Sequence, residues 1–373
     1  MGGIALDENN NEITTRERQI LEWIQQDPMI SQNDLADLAG ISRSGVAVHI
    51  SNLMKKGYLR GKGYIFPPQN HVTVIGGVNM DTYGVGVEPF TAKTSNSGHI
   101  YHSIGGLGRN ISLNLRKLGI FNYFISVYGD DADGEQFKVD ATNHDMDITY
   151  SKQLMNEKTS SYIYLNQPDG ERFIGLDDME INDRLTPELL EARSEVIRHS
   201  RAVIVDTNLP EDTIQWVVTH FDGPVLAKAV SLAKVGRLQS SLSSLNTLVI
   251  NGIEAPVLVE TVPGDKESAL RCAQELVDTG VENVFLYVDN IGTVYANRQQ
   301  HIFLPQPDIH QKNTNGAGGA AIAALVLAAV NGLDFKQTAQ LAAAAAYITS
   351  ESPDSVNEAM STDLIQKKIE SLF

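Results

Sequence analysis

The sequence predicts an α/β protein: a mostly parallel sheet with helices on both faces and a small β lid, preceded by a small all-α module. Three observations predict it. From about residue 70, short apolar runs of buried-strand character alternate with helical segments. The first 68 residues instead show three capped amphipathic repeats and no such runs. One segment, "SSYIYLNQPDGERFIGL", breaks the alternation and reads as a hairpin around Asp169-Gly170.

The N-terminal elements come first. Thr14 and Glu17 form a capping box before a helix whose inner face carries Ile20, Leu21 and Ile24. Pro28 ends it. Ser31 and Asp34 open a second helix with Leu35, Leu38 and Ala39 facing inward, and Gly40 suits the turn that follows. Ser42 caps a third helix with Val46, Ile50, Leu53 and Met54 as its apolar side. "YLRGKGYIF" then supplies two short strands around Gly61-Lys62-Gly63. Residues 42–64 contain five bases (Arg43, Lys55, Lys56, Arg60, Lys62) and no acid, within a chain of net charge −17. Such an acidic body is repelled by nucleic acid, whereas a local basic face still binds it.

This helix, helix, turn, helix and basic hairpin resembles a winged helix-turn-helix. The resemblance implies DNA binding through residues 14–68. Ser42, Arg43, Ser44 and His49 then face the major groove, and Lys55, Lys56, Arg60 and Lys62 meet phosphates. The alternative is a helical module for protein contacts whose bases are merely solvated.

In the larger part, residues 69–373, strands are expected at "HVTVIGGVNMD", "FNYFISVYGDD", "RAVIVDTN", "GPVLAKAV", "NTLVIN" and "NVFLYVD". Helices are expected at "GRNISLNLRKLG", "PEDTIQWVVTHF" and "KESALRCAQELVDTG". Ligands of open α/β sheets sit beyond the carboxyl ends of the strands. "NTNGAGGAAI" (313–322) has the form of an anion cradle: small residues open an uncharged Ala-rich helix, and free backbone N–H groups meet the positive end of its dipole. The run 313–333 approaches membrane-span length, but Ala and Gly are weakly hydrophobic, so close packing on a sheet is expected instead. The single cysteine, Cys272, excludes an internal disulfide framework, and the N-terminus lacks the form of a signal peptide. A cytoplasmic protein is expected.

Five motifs in order resemble the ribokinase-like carbohydrate kinases of the phosphofructokinase-B type. "VIGGVNMD" is similar to that family's first strand, and Asp81 matches the acid that grips sugar hydroxyls. "GGLGRN" resembles its first signature, with Gly105, Gly106 and the substrate ligand Asn110. "YGDDADGEQF" also fits. "NGIE" resembles Asn-x-x-Glu, which implies Asn251 and Glu254 near phosphates and, indirectly, Mg2+. "NTNGAGG" stands where Asp-Thr-x-Gly-Ala-Gly-Asp belongs, implying an anion hole at Gly316, Ala317 and Gly318. Ser231, Gly292 and Asn313 fall at nucleotide-binding positions. The resemblance implies ATP as co-substrate, a sugar or nucleoside as acceptor and a homodimer paired through lids. The segment "LDDMEINDRLTPELL" and the fused helical module resemble kinases of the pseudouridine kinase kind.

Departures from the pattern carry as much information. The final aspartate, the family's general base, is Gly319 here, and losing a positioned base costs about 10²–10⁴ in rate. The first acid of the same signature is Asn313, and Lys228 stands where an acid is usual. Asp308, expected at a strand end, is the nearest substitute upstream. Two readings follow: an impaired ATP-dependent sugar or nucleoside kinase, or a catalytically weak kinase fold that senses such a ligand and controls the DNA-binding module.

Overall fold

A computed structural model describes residues 13–59, 71–168, 172–309, 311–312 and 315–373. The chain divides into two compact units, Met1–Gln69 and Asn70–Phe373.

In the first unit lie α1 (Thr15–Gln26), α2 (Gln32–Ala39) and α3 (Arg43–Lys55). The caps are those the sequence specifies. The Thr14 hydroxyl accepts from Glu17 N–H while the Glu17 carboxylate accepts from Thr14 N–H. Ser31 and Ser42 cap the next two helices, and Gly40 adopts the left-handed conformation after α2. Ile20, Ile24, Leu35, Val46, Ile50 and Leu53 form the core of this unit. Leu38 and Met54 are exposed instead, 54% and 39%, and Ala36 takes the inward place on α2. Of the expected hairpin, residues 58–66, only Tyr58 and Leu59 are described, and neither is in a strand; the rest lies outside the described residues.

Fourteen strands and nine helices are described in the second unit. Its strands are β1 (Val72–Ile75), β2 (Asn79–Gly86), β3 (Gly98–Gly105), β4 (Asn122–Ile125), β5 (Val127–Gly129), β6 (Lys152–Leu154), β7 (Ser160–Asn166), β8 (Arg172–Asp178), β9 (Val203–Asp206), β10 (Val225–Lys228), β11 (Thr247–Asn251), β12 (Asn283–Val288), β13 (Gly292–Asn297) and β14 (His301–Pro305). Its helices are α4 (Leu107–Lys117), α5 (Ala132–Asn143), α6 (Pro187–Glu191), α7 (Ser194–Arg198), α8 (Glu211–His220), α9 (Lys266–Asp278), α10 (Ala317–Asn331), α11 (Phe335–Ser350) and α12 (Thr362–Leu372).

The main sheet runs β14-β13-β12-β11-β10-β9-β1-β4. Its six strands from β4 to β12 pair in parallel, and β13 and β14 close the edge antiparallel. β1, β4, β9 and β10 are buried along their whole length, as strands covered on both faces must be. One core packs α4, α10 and α11 against the sheet, and a second packs α8 and α9 on the other face. The Ala-rich α10 and α11 are buried along most of their length, since small side chains let two helix layers approach.

A separate four-stranded lid runs β3-β2-β7-β8. The sequence motif "VIGGVNMD" therefore spans two sheets. β1 ends at Ile75, Gly76-Gly77 makes the crossing, and Asp81 lies on lid strand β2 rather than at the tip of the main strand. β7 and β8 form the expected antiparallel hairpin, its turn at 169–171 lying outside the described residues. Asp308 is exposed and lies beyond the end of β14, not at a strand end.

Candidate functional site

Two glycine-rich turns meet at one end of the main sheet because neither carries a side chain where they touch. Gly106, the N-cap of α4, has φ +95°, and a Cβ there would lie 2.4 Å from the Gly77 carbonyl oxygen. A Cβ on Gly108 would lie 2.8 Å from the Gly76 backbone. The turn after β1 and the turn before α4 thus touch backbone to backbone, a contact only glycine permits. Asp206, at the end of β9 and 1% exposed, holds them together. Its Oδ2 accepts the Gly77 N–H at 3.0 Å and its Oδ1 the Asn208 N–H at 2.8 Å, and Gly108 N–H also donates to it. Burial pushes this carboxyl above its usual range, with those hydrogen bonds opposing. Sequence reading passed over Asp206 and Asn208. The available signal was an acid closing the otherwise apolar "VIVD".

Asp81 stands over the same turns. Its Oδ1 accepts from Asn79 Nδ2 at 2.6 Å, and its Oδ2 fills the space that a Cβ on Gly105 would occupy, 2.3 Å away. Asn110 lies in the first turns of α4 and is buried, its Oδ1 accepting from Arg109 Nη1 at 3.1 Å. Arg109 makes two further bonds to Asp140 of α5, at 2.9 and 2.6 Å, so its guanidinium ties Asn110 to a second helix. Gly319 faces this group. A Cβ there would meet Leu107 at 3.5 Å, Ile111 at 3.7 Å and Asn110 at 4.0 Å, all ordinary contacts. Asp81, Gly105, Gly106, Asn110 and Gly319 are therefore brought together, and nothing steric demands glycine at 319.

The remaining small residues of the α10 turn face another group. Gly316 is left-handed, φ +90°, with the Ser355 carbonyl where its Cβ would be. A Cβ on Gly318 would lie 2.3 Å from Lys228 Cε and 3.1 Å from Tyr287 Oη. Lys228 Nζ is 3.4 Å from Glu254 Oε2 and donates to the Ala229 carbonyl. Burial alone lowers the Lys228 pKa, but Tyr287 and Glu254 outweigh it and hold the ammonium above its ordinary range. Asn251 Oδ1 accepts the N–H groups of Ile253 and Glu254, and Asn251 N–H donates to Glu254 Oε2. Ala317 starts α10 beside these groups. Gly292 pairs with Val288, whose side chain also flanks Gly252; a Cβ on Gly292 would strike the Leu304 carbonyl, so this glycine closes the β13–β14 edge. Ser231 lies in the loop after β10, its carbonyl accepting from Lys234 and Val235. Asn313 lies outside the described residues.

The lid covers this end of the molecule. Residues 79, 81, 83 and 85 of β2 share a face with 101, 103, 162 and 164 of the neighbouring strands. Tyr83 stacks on Tyr101 at 5.0 Å and on Tyr164 at 5.1 Å, and Tyr162 packs on Tyr164. Burial, with Asp354 and Asp81 adding, pushes the Tyr83 hydroxyl above its usual range. A cavity of about 1170 Å³ opens beneath that face, lined by Tyr83, Ser103 and Tyr164 from the lid, Arg109 from α4 and Asp354 from the C-terminal segment. Asp81, Gly105 and Asn110 do not line it. It adjoins them through Ser103, Ile104 and Arg109.

In the N-terminal unit, Arg43, Ser44 and Lys55 are exposed on α3, while the Ser42 hydroxyl is spent on capping. His49 and Lys56 face Glu17 of α1. His49 Nδ1 faces Glu17 Oε1 at 4.0 Å, and Lys56 Nζ pairs with the buried Glu17 at 2.9 Å. Arg60 and Lys62 lie outside the described residues. No helix among the described residues is long and apolar enough to cross a membrane.

Comparison with known proteins matches residues 69–362 to the pfkB family of carbohydrate kinases and residues 13–60 to a winged helix-turn-helix DNA-binding family. The chain is 32% identical to the uncharacterized sugar kinase YeiI of Escherichia coli, over 94% of this chain and 98% of that one. It is 27% identical to the pseudouridine kinase of the same organism, over 74% and 88% respectively. Among solved structures, a carbohydrate kinase from Agrobacterium tumefaciens superposes with a TM-score of 0.70 at 26% identity, over 81% of this chain and 98% of that one. The ribokinase-like fold, the paired glycine turns and these matches together establish that the chain belongs to the pfkB family of carbohydrate kinases and carries a winged helix-turn-helix at its N-terminus.

Proposed function

We propose that this protein is a ligand-responsive DNA-binding protein, whose kinase-like domain binds a nucleoside or related sugar and transfers phosphate slowly or not at all. Asp81 and Asn110 bind sugar hydroxyls, and the four tyrosines of the inner lid face offer an aromatic base a stacking surface that a bare pentose does not use. The α10 N-terminus receives the phosphates of a nucleotide. The pseudouridine kinase among the relatives supports a nucleoside over a hexose.

Glycine at position 319 supports a sensor over a working kinase. It sits beside Asn110 with room for a carboxylate, yet offers the acceptor hydroxyl nothing to take its proton. Kinases of this family use ATP and typically a divalent cation. Here Asn251 and Glu254, expected to organise Mg2+, are bonded to each other and Glu254 is paired with Lys228, so the residues present do not fit that ion and no step is assigned to it.

Phosphate transfer from ATP to a panel of nucleosides and pentoses tests the reading. The parent chain is expected to show little turnover, and Gly319→Asp to raise it by about 10²–10⁴. Rapid turnover by the parent rejects the sensor in favour of the second reading, an active kinase; the intact Asp81, Gly105, Gly106 and Asn110 support ligand binding under both. A gel-shift assay at low salt, with and without nucleoside, tests the DNA arm, and absence of binding removes it.

A further inference from the structure

The chain supplies its own cation beside the α10 turn. Lys228 ends β10, is 4% exposed, and lays its stem against Gly318 where a side chain would otherwise stand. Its ammonium is 3.4 Å from Glu254 Oε2 and 5.6 Å from the centre of the Tyr287 ring. The same carboxylate oxygen accepts the Asn251 N–H at 3.2 Å. The Asn251 amide oxygen is committed to two backbone N–H groups, at 3.0 and 2.7 Å.

The pair formed by Glu254 and Lys228 has no net charge. A carboxylate already compensated by a buried ammonium has little attraction left for a hydrated divalent ion, and the ammonium repels it. Such ions ordinarily neutralise phosphates in phosphoryl-transfer sites. Here the positive end of α10 faces the phosphates instead, and the lysine beneath it cancels the Glu254 charge that would oppose them.

We propose that Lys228 replaces the divalent cation as the partner of Glu254 at this site, so that the α10 turn takes the phosphates of a nucleotide in metal-free form. The inference rests on the reading of the domain as one that binds nucleotide. It is read from affinity alone, so turnover by the parent chain, which counts against the sensor, leaves it standing.

Calorimetric titration of the full chain with ADP and with ATP, in EDTA and in Mg2+, provides the test. For the parent, the dissociation constants with and without Mg2+ are expected to agree within about threefold. Lys228→Met leaves Glu254 uncompensated, so binding in EDTA weakens by about tenfold or more and Mg2+ restores it. In Lys228→Met/Glu254→Gln both charges are gone, and binding in EDTA recovers relative to the single variant. A parent that binds nucleotide about tenfold or more tighter in Mg2+ than in EDTA overturns the proposal, as does one that binds none in either buffer. If Lys228→Met fails to fold, the parent's response to Mg2+ decides the matter alone.

Discussion

Glu17 illustrates how one side chain serves two levels of structure. It caps α1 through the Thr14 N–H and receives Lys56 from the end of α3 at 2.9 Å. Burial alone raises its carboxyl, but the hydrogen bonds from Lys56, Thr14 and Asn52 prevail and lower it to about 2. Its folded pKa lies below the unfolded value, so this stability is present above about pH 4.5 and is lost as pH falls toward 2. The shift corresponds to about 3 kcal/mol, which solvent at the partly exposed Lys56 reduces to about 1–2 kcal/mol. Chemical denaturation of the N-terminal unit at pH 7 and pH 3 is expected to show that loss, and Glu17→Gln to abolish the difference. An unchanged pH response in Glu17→Gln refutes the assignment.

At the level of elements, α4 is held at both ends of its role. Its N-terminus is pressed against the turn after β1, and Arg109 in its first turns is locked to Asp140 of α5, with His144 3.1 Å from the same carboxylate. Both members of the Arg109–Asp140 pair are buried. Removing one leaves the other's charge without compensation. Arg109→Met is therefore expected to cost about 3 kcal/mol, moderated by His144, and to loosen the Asn110 amide. The first effect is read by urea denaturation and the second by weaker nucleoside binding at a temperature where the variant is still folded. Full stability in Arg109→Met contradicts this account of α4. The motif letters "GGLGRN" identified Gly105, Gly106 and Asn110, but not the partner of Arg109, because Asp140 is 31 residues away and meets it only when α5 packs alongside.

For the whole molecule, the lid presents two unlike faces. The inner one carries Asp81 and the tyrosines. On the outer face Ile163 and Leu176 are paired across β7 and β8, and Ile174 and Ile100 flank them, each between 49% and 71% exposed. A contiguous apolar face on a small sheet favours association, and a two-fold axis lets one face cover another. The homodimer inferred from the family resemblance is proposed to use this face. Sedimentation is expected to show a dimer, and Ile163→Lys/Leu176→Lys a monomer that melts at nearly the parent temperature. A parent that sediments as a monomer at micromolar concentration rejects it.

Local chemistry alone determined a good deal. The caps at Thr14, Ser31 and Ser42 act over a few residues, and each formed where the pattern placed it. Leu38 and Met54 escaped, because apolar spacing does not say how far a three-helix core reaches around a helix. Strands β3 and β14 also escaped, since edge and lid strands alternate weakly and are defined by the neighbour they pair with. Tertiary structure decided that Asp81 belongs to the lid, that Asp206 clamps two glycine turns, and that Lys228 lies under Gly318 against Glu254. Those contacts join residues from 26 to 129 positions apart. A buried charge finds its partner through packing in three dimensions, which no pattern along the chain encodes.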